Sequence, residues 1–274
     1  MIRDITIGQY YPTNSIVHRL DPRVKIMCTL FYLISLFLFK SVLGYVLCTV
    51  FLFTVIKLSK VPFKFITKGL KPIVILLMIT VLFNLFLTNQ GEVLVSFWIL
   101  KITDEGLRTA VYMAIRLIYL IVGSSLMTLT TTPNELTDGI ERLLKPFNKI
   151  KVPVHEIAMM MSIALRFIPI LLEETDKIMK AQIARGADLE NGNIIQKAKN
   201  MIPILVPLFV SAFRRANDLA MAMEARCYQG GEGRTKMKPL VYKKRDYITY
   251  AVTILYIVVM VLVGRYISFR VWMF

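Results

Sequence analysis

The sequence has few of the residues on which enzymes and disulfide-linked proteins depend. Its 274 residues include only three cysteines and two histidines. Cys28, Cys48 and Cys227 lie far apart, and two of them fall inside apolar runs, so they form neither a disulfide framework nor a metal site. No G-x-x-x-x-G-K-[ST] loop is present to hold nucleotide phosphates, and no G-x-S-x-G motif presents a nucleophile. We therefore expect a protein that is not an enzyme and uses no metal or cofactor.

Acidic residues are also scarce, and the excess of basic residues follows the apolar runs. The chain has 34 Lys and Arg residues against 18 Asp and Glu, a net charge of +16 at pH 7. One predicted loop contains five lysines and no acidic residue, namely Lys57, Lys60, Lys64, Lys68 and Lys71. Because basic loops of this kind face the cytoplasm in multi-pass proteins, the pattern indicates a membrane protein and not a nucleic-acid-binding protein.

Long apolar runs dominate the rest of the chain. Hydrophobic residues make up 56% of the sequence, and the mean hydropathy is +0.59. The runs predict five transmembrane helices, the first two of them short, over 26–39, 42–56, 71–88, 107–130 and 247–264. The expected fold is an all-α membrane protein with a cytoplasmic N-terminus and no cleaved signal peptide. Residues 1–130 would form a membrane domain of four spans, and 247–274 a closing transmembrane helix.

The segment 131–246 differs from the apolar runs around it. Thr132 and Glu135 have the spacing of a capping box, which predicts the start of a short helix that Pro146 ends. Two long helices are expected to follow, over about 153–185 and 193–227. We expect these three helices to form a cytoplasmic domain.

Each long helix begins apolar, over 157–172 or 201–213, and then becomes charged. We interpret both as lying along the cytoplasmic face of the membrane, and the alternative is that the apolar parts are two further short spans. The pairs Glu173-Glu174 and Arg214-Arg215 lie at equal distances from the two helix ends. They can face each other if the helices cross, or else be solvated.

The two long helices end in similar triplets. Ala184-Arg185-Gly186, here called the first tip, closes one helix, and Ala225-Arg226-Cys227, the second tip, closes the other. A cation in the last turn is commonly a cap for exposed carbonyl groups. Repetition of the triplet favours a second interpretation, in which small neighbours let each arginine enter a pocket on another protein. Spacing alone leaves both interpretations open.

Methionine is concentrated on the same two helices. Its flexible side chain suits a surface that accepts several partners, although it also fills cores beside membranes. The residues are Met159, Met160, Met161, Met179, Met201, Met221 and Met223.

A further motif stands before the first apolar run, His18-Arg19-Leu20-Asp21-Pro22-Arg23-Val24-Lys25. With Asp21, Pro22 and Arg23 at its centre, and with the two tips in order behind it, the chain resembles the transmembrane T component of energy-coupling factor transporters over essentially its whole length. One departure is Cys227, where the first tip has glycine. We expect this exchange of one small residue for another to have little effect.

The resemblance implies a scaffold subunit in the bacterial plasma membrane that serves vitamin or micronutrient uptake. Two cytoplasmic ABC-type ATPases would hydrolyse ATP, and one membrane-embedded substrate-binding subunit, interchangeable with others, would carry the substrate. Both tips would dock onto the ATPases, with Arg185 and Arg226 each entering one of them. The substrate-binding subunit would contact Met159, Met160, Leu165, Met201, Leu205 and Met221.

Two other functions need different residues. A stand-alone channel or secondary carrier requires polar groups inside the spans, where Lys40 and Arg116 are the main ionisable residues and acids are lacking. A membrane enzyme that acts on lipid requires a cluster of acids or histidines at one membrane face. The candidates for such a cluster are Asp138, Glu141, His155 and Glu156.

Overall fold

Helices account for most of the computed structural model, which describes residues 10–39, 41–87, 93–97, 100–187, 193–231, 237 and 239–271. The helices are α1 Pro22–Ser35, α2 Val42–Ser59, α3 Phe63–Leu70, α4 Val74–Leu87, α5 Asp104–Thr130, α6 Pro133–Leu144, α7 Val154–Ala184, α8 Ile194–Glu224 and α9 Lys244–Val271. Short 3-10 turns occupy Lys71–Ile73 and Lys145–Ile150, and strands β1 Val93–Phe97 and β2 Leu100–Thr103 form an antiparallel hairpin.

Five segments within the described residues are long and apolar enough to cross a membrane. They are Val42–Ser59, Phe63–Phe86, Asp104–Thr130, Val154–Ala184 and Lys244–Arg265. Five spans were predicted, but the set differs. α1, at 14 residues, is shorter than the roughly 20 residues that a bilayer core requires. α7 qualifies in its place, which supports a further span at 157–172 by length and composition, and α8 does not qualify.

The prediction of a first helix over 26–39 was wrong at both ends. The Asp21 carboxylate accepts a hydrogen bond from the backbone N–H of Arg23, and Pro22 occupies the first helical position, so α1 begins at Pro22. At its other end, the N–H groups of Phe37 and Leu38 bond back three residues, which tightens the chain after Ser35. Lys40, named above as an ionisable residue in the spans, lies outside the described residues.

The predicted basic loop contains a helix, which is a second correction. Lys60 adopts a left-handed conformation with φ of 55° and ends α2. α3 then begins at Phe63, because Phe63, Ile66 and Leu70 recur at helical spacing among the lysines. Ile66 is buried and Leu70 packs against the core, whereas Phe63 at the start of the helix is exposed.

The hairpin and the start of α5 lie in the next predicted loop. Val93 pairs with Thr103 and Phe97 with Leu100. The Thr103 hydroxyl accepts a hydrogen bond of 3.1 Å from the N–H of Gly106, so it caps α5 and moves the start of this helix from the expected 107 to Asp104.

The chain divides into two compact units, Gly8–Gly139 with Leu240–Phe274 and, separately, Ile140–Pro239. In the first unit, α5 packs against α1, α2, α3 and α4, and α9 packs against α1 and α2. Its core includes Tyr32, Leu36, Leu52, Leu126 and Met260. A four-helix arrangement of α1, α2, α5 and α9 is therefore the centre of this unit.

The second unit contains α7 and α8, which pack antiparallel. The side-chain amide of Gln182 donates to the carbonyl oxygen of Pro203 at 3.3 Å, and Arg215 forms an ion pair with Glu174. Because the residue numbers of these contacts rise on one helix as they fall on the other, the C-terminal ends lie at opposite ends of the pair. Of the two alternatives for the charged pairs, Glu174 and Arg215 face each other, whereas Glu173 and Arg214 are exposed.

The Asp21-Pro22-Arg23 motif joins the start of α1 to the start of α9. Arg23 makes two hydrogen bonds to the Asp21 carboxylate, at 3.0 and 2.8 Å, and a third to the carbonyl oxygen of Leu240 at 3.2 Å. Its guanidinium lies 3.8 Å from the ring centroid of Tyr242. The backbone N–H of Asp21 donates to the Asp246 carboxylate at 3.0 Å. The motif is therefore a structural contact between the first and last helices.

Two neighbours of the motif extend the contact. Lys25 is buried, and its ammonium group donates to the carbonyl oxygens of His18 at 3.1 Å and of Thr130 at 2.8 Å, which ties α1 to the end of α5.

The ring of His18 bonds to the carbonyl oxygen of Tyr11 at 3.0 Å. Burial lowers the pKa of His18. Burial acts to raise the pKa of Asp21, but the hydrogen bonds from Arg23 outweigh it, so this pKa is lowered and Asp21 is charged at neutral pH.

We predict that Asp246→Asn destabilises the protein by about 1–3 kcal/mol. The Asp246 carboxylate is buried and accepts two backbone hydrogen bonds, from Asp21 at 3.0 Å and from Lys243 at 2.7 Å. An amide has only one acceptor oxygen, so its NH2 group would face the second backbone N–H and one hydrogen bond would be lost. Thermal unfolding of the purified protein in detergent measures the loss. Asp104→Asn is the control, because Asp104 is exposed in the first turn of α5. Equal melting temperatures for both variants would contradict the prediction.

Candidate partner-binding site

The first tip ends α7 in a Schellman motif. The N–H of Gly186 donates to the carbonyl oxygen of Ile183 at 2.9 Å, and the N–H of Ala187 donates to that of Gln182 at 3.0 Å. Gly186 has a φ of 87°, the left-handed conformation that this motif requires. Arg185 is the last residue before this turn, so its backbone position is fixed by the helix end.

The second tip ends α8 with the same hydrogen bonds. The N–H of Cys227 donates to the carbonyl oxygen of Glu224 at 2.8 Å, and the N–H of Tyr228 donates to that of Met223 at 3.1 Å. Arg226 therefore occupies the position that corresponds to Arg185. The structure brings both arginines to equivalent places in one backbone motif, as alignment of the triplets suggested.

Both arginine side chains are exposed, and within the described part of the chain neither guanidinium has a hydrogen bond or an ion pair. Backbone N–H groups bond to the carbonyl groups of Gln182 and Ile183 at the first helix end, and of Met223 and Glu224 at the second. Among the described residues neither guanidinium bonds to a helix-end carbonyl group, and docking of Arg185 and Arg226 on a partner stays a prediction. Ala184 and Ala225 are also exposed and leave space around them.

Cys227 departs from the first tip in a way that the sequence does not show. It has a φ of 55°, so a side chain occupies the left-handed position that glycine fills in the first tip. This conformation costs a residue with a Cβ roughly 1–2 kcal/mol. The exchange of Gly for Cys therefore has a conformational cost that we did not expect from the small size of both residues.

The six residues of α7 and α8 predicted to contact a substrate-binding subunit, here called the Met-rich surface, are mostly exposed. Of the six residues predicted to contact a substrate-binding subunit, Met160, Met201, Leu205 and Met221 are exposed, and Met159 and Leu165 are half-buried. α8 also exposes apolar residues that we did not single out. They continue the series from Met201 and Leu205 at four-residue spacing through Phe209 and Phe213, a helical period that the sequence contains.

Of the residues considered for a membrane enzyme, the structure brings His155 and Glu141 into contact. His155 forms a 3.1 Å contact with Glu141, and the ring of His155 packs against Gly231, just after the second tip. The described residues contain no group of three or more His, Cys, Asp or Glu side chains that could hold a metal ion. Arg116 in α5 donates to the carbonyl oxygen of Phe39 at 3.3 Å.

These features define the class of protein as a helical integral membrane protein. The family described as "Cobalt transport protein" (CbiQ) matches residues 13–237. The chain is 62% identical over 249 residues to the energy-coupling factor transporter transmembrane protein EcfT of Clostridium kluyveri, covering 90% of this chain and 92% of that one. It is 50% identical to EcfT of Bacillus subtilis, covering 90% and 93% of the two chains. The chain belongs to this EcfT/CbiQ family of energy-coupling factor transporter transmembrane proteins.

We predict that Cys227→Gly stabilises the protein by about 1 kcal/mol, because it removes a side chain from a left-handed position. Gly186→Ala, the matched change at the first tip, should destabilise it by a similar amount. No atom lies within 4 Å of a Cβ added at Gly186, so the cost there arises from the backbone alone. Thermal unfolding of both variants tests the pair. Shifts of the same sign would contradict it.

Proposed function

We propose that this chain is the coupling scaffold of an energy-coupling factor transporter in the bacterial plasma membrane. It transmits the motion of two ABC-type ATPases to a membrane-embedded substrate-binding subunit that takes up a vitamin or another micronutrient. The chain itself is not an enzyme, and ATP hydrolysis belongs to the partners. Residues 1–130 and 247–274 form its membrane part with a cytoplasmic N-terminus, and 131–246 form the cytoplasmic coupling domain.

The observation that carries the proposal is the pair of equivalent tips. Arg185 and Arg226 are exposed, their helix ends are closed by backbone hydrogen bonds, and the antiparallel packing of α7 and α8 holds them at opposite ends. Two similar docking elements at opposite ends of a packed helix pair suit two similar partners. The planar guanidinium can form paired hydrogen bonds with carboxylate or carbonyl groups in a groove of each ATPase.

The exposed apolar surface of α7 and α8 supports contact with a partner embedded in the membrane. α7 is long enough to cross a bilayer, but charged residues follow its apolar half, including Glu173, Asp176 and Lys180. At the cytoplasmic membrane face, the apolar half of α7 can contact the membrane and its charged half can contact water. There the Met-rich surface meets the substrate-binding subunit, and flexible methionines allow several such subunits to bind in turn.

ATP binding would bring the two ATPases together, and each would carry one tip with it. Because the ion pair between Glu174 and Arg215 and the Gln182 contact join α7 to α8, movement of the tips shifts both helices together. The apolar surface then moves beneath the substrate-binding subunit, which reorients and releases its substrate inward.

We predict that Arg185→Ala and Arg226→Ala each weaken association with the ATPases, and that the double variant loses both ATPases and transport. Loss of one partner of a desolvated interfacial charge pair typically costs about 2–5 kcal/mol. Co-purification from detergent with the co-expressed ATPases measures the association. Insertion into the membrane should not change.

Arg214→Ala is the matched control, since it removes an exposed arginine of α8 away from the tip. Its ATPase content should equal that of the wild type. If the double variant retains both ATPases at the wild-type level, the tips are not docking elements, and a stand-alone carrier becomes the function to test.

We predict that Leu205→Glu removes the substrate-binding subunit from the purified complex and leaves both ATPases bound. Leu205 is exposed at the centre of the apolar series on α8, where a charge would be buried by an apolar partner. Lys199→Glu is the control, because Lys199 is an exposed polar position on the same helix. Retention of the substrate-binding subunit by Leu205→Glu would exclude this surface as its contact.

A further inference from the structure

An apolar cavity of about 400 Å³ lies inside the first unit, at the end of the helix bundle where α1 and α9 begin. This volume falls within the range of about 300–1,000 Å³ that ligand pockets occupy. All four central helices and the segment before α1 line it, through residues that include Leu20, Thr29, Leu52, Leu126 and Val252. The cavity belongs to neither tip and is not part of the Met-rich surface.

Three of the four threonines in the cavity wall are already hydrogen-bonded. The hydroxyl groups of Thr130, Thr249 and Thr253 donate to backbone carbonyl groups one turn earlier, at 2.8, 2.9 and 2.9 Å. Their remaining contribution to the wall is apolar. A polar solute would thus find few free partners, and water would gain little by entering.

One side of the cavity is open. Leu58, Ile248 and Val252 line it, and their exposed fractions are 45%, 63% and 51%. These residues belong to α2 and α9, two of the helices that are long and apolar enough to cross a bilayer. In a bilayer the opening would therefore face hydrocarbon. An acyl chain that enters from there regains the dispersion contacts that an empty void lacks.

Positive charge stands at the end of the cavity where α9 begins. Arg245 lines the cavity, and its Nε is buried without a hydrogen-bond partner in the described part of the chain. Lys25 also lines it and uses two of its three N–H donors on carbonyl oxygens. Lys243 and Lys244 precede Arg245 in the sequence. This arrangement suits a phosphate group at the level of the lipid headgroups.

We propose that the cavity binds one acyl chain of an anionic phospholipid, with the phosphate beside Arg245. The lipid fills the space between α1, α2, α5 and α9 and is a structural ligand of the membrane part. This proposal does not depend on the coupling function, because it involves neither tip and no partner protein.

The test uses the full chain in phosphatidylcholine vesicles that contain a phosphatidylglycerol with a diazirine on one acyl chain. After illumination, peptide mass spectrometry locates the adducts. We expect several-fold more adducts at the cavity positions Thr29 and Val252 than at Leu30 and Ile254, which are exposed and do not line the cavity. Equal labelling at both sets of positions would mean that the lipid only surrounds the protein surface and does not enter the cavity, which would overturn the proposal.

Thr29→Phe places a ring in the cavity and should lower the adducts at Val252 several-fold, whereas its neighbour Leu30→Phe should leave them unchanged. Thr249→Phe, from the opposite wall on α9, repeats the test in case one variant folds poorly. If the cavity variants fold and neither lowers the labelling at Val252, the acyl chain of the lipid does not occupy the cavity. If the adducts disappear when partner subunits are co-expressed, a segment of a partner occupies the cavity, and the lipid proposal is overturned.

The headgroup is tested separately. Arg245→Gln should lower the labelling by phosphatidylglycerol and leave unchanged the weaker labelling by a phosphatidylcholine with the same diazirine. An equal response to both lipids would overturn the assignment of the phosphate to Arg245.

Discussion

The first of the two compact units depends on one buried carboxylate at the start of α9. Asp246 accepts hydrogen bonds from the N–H groups of Asp21 and Lys243, so it fixes the start of α9 beside the start of α1. Lys25 then joins the same region to the end of α5. These contacts lie at the end of the bundle that contains the cavity, and the apolar core packs α9 against α1 and α2 beyond it. Buried charges of this kind are stable only when every neighbour is in place.

Backbone hydrogen bonds also determine the geometry of the two tips. The last carbonyl groups of a helix need partners, and arginine side chains can supply them. Here backbone N–H groups bond to two of these carbonyl groups at each helix end through a turn whose left-handed residue follows the arginine. The second tip keeps this geometry although Cys227 pays a conformational cost that glycine would avoid.

Local patterns predicted most of the helices and both tips, because capping residues and helical periodicity act over a few positions. The capping box at Thr132 and Glu135 is confirmed in both directions, and the long helices end within a few residues of the expected positions. The contact of Asp21 with Asp246 could not be predicted, since the two residues lie far apart in the sequence and no local pattern links them. The left-handed conformation of Cys227 was missed because sequence similarity to Gly186 concealed a difference in backbone energy.

The apolar surface of α7 and α8 poses the remaining physical problem. Met201, Leu205, Phe209 and Phe213 expose a continuous apolar series, which water would penalise. Lipid alone would cover it, but the charged C-terminal halves of both helices require water or polar partners. In the arrangement proposed above, a membrane-embedded partner would cover the apolar halves, and the ATPases at the tips would lie in water beside the charged halves. That arrangement would leave neither half of either helix in an unfavourable environment.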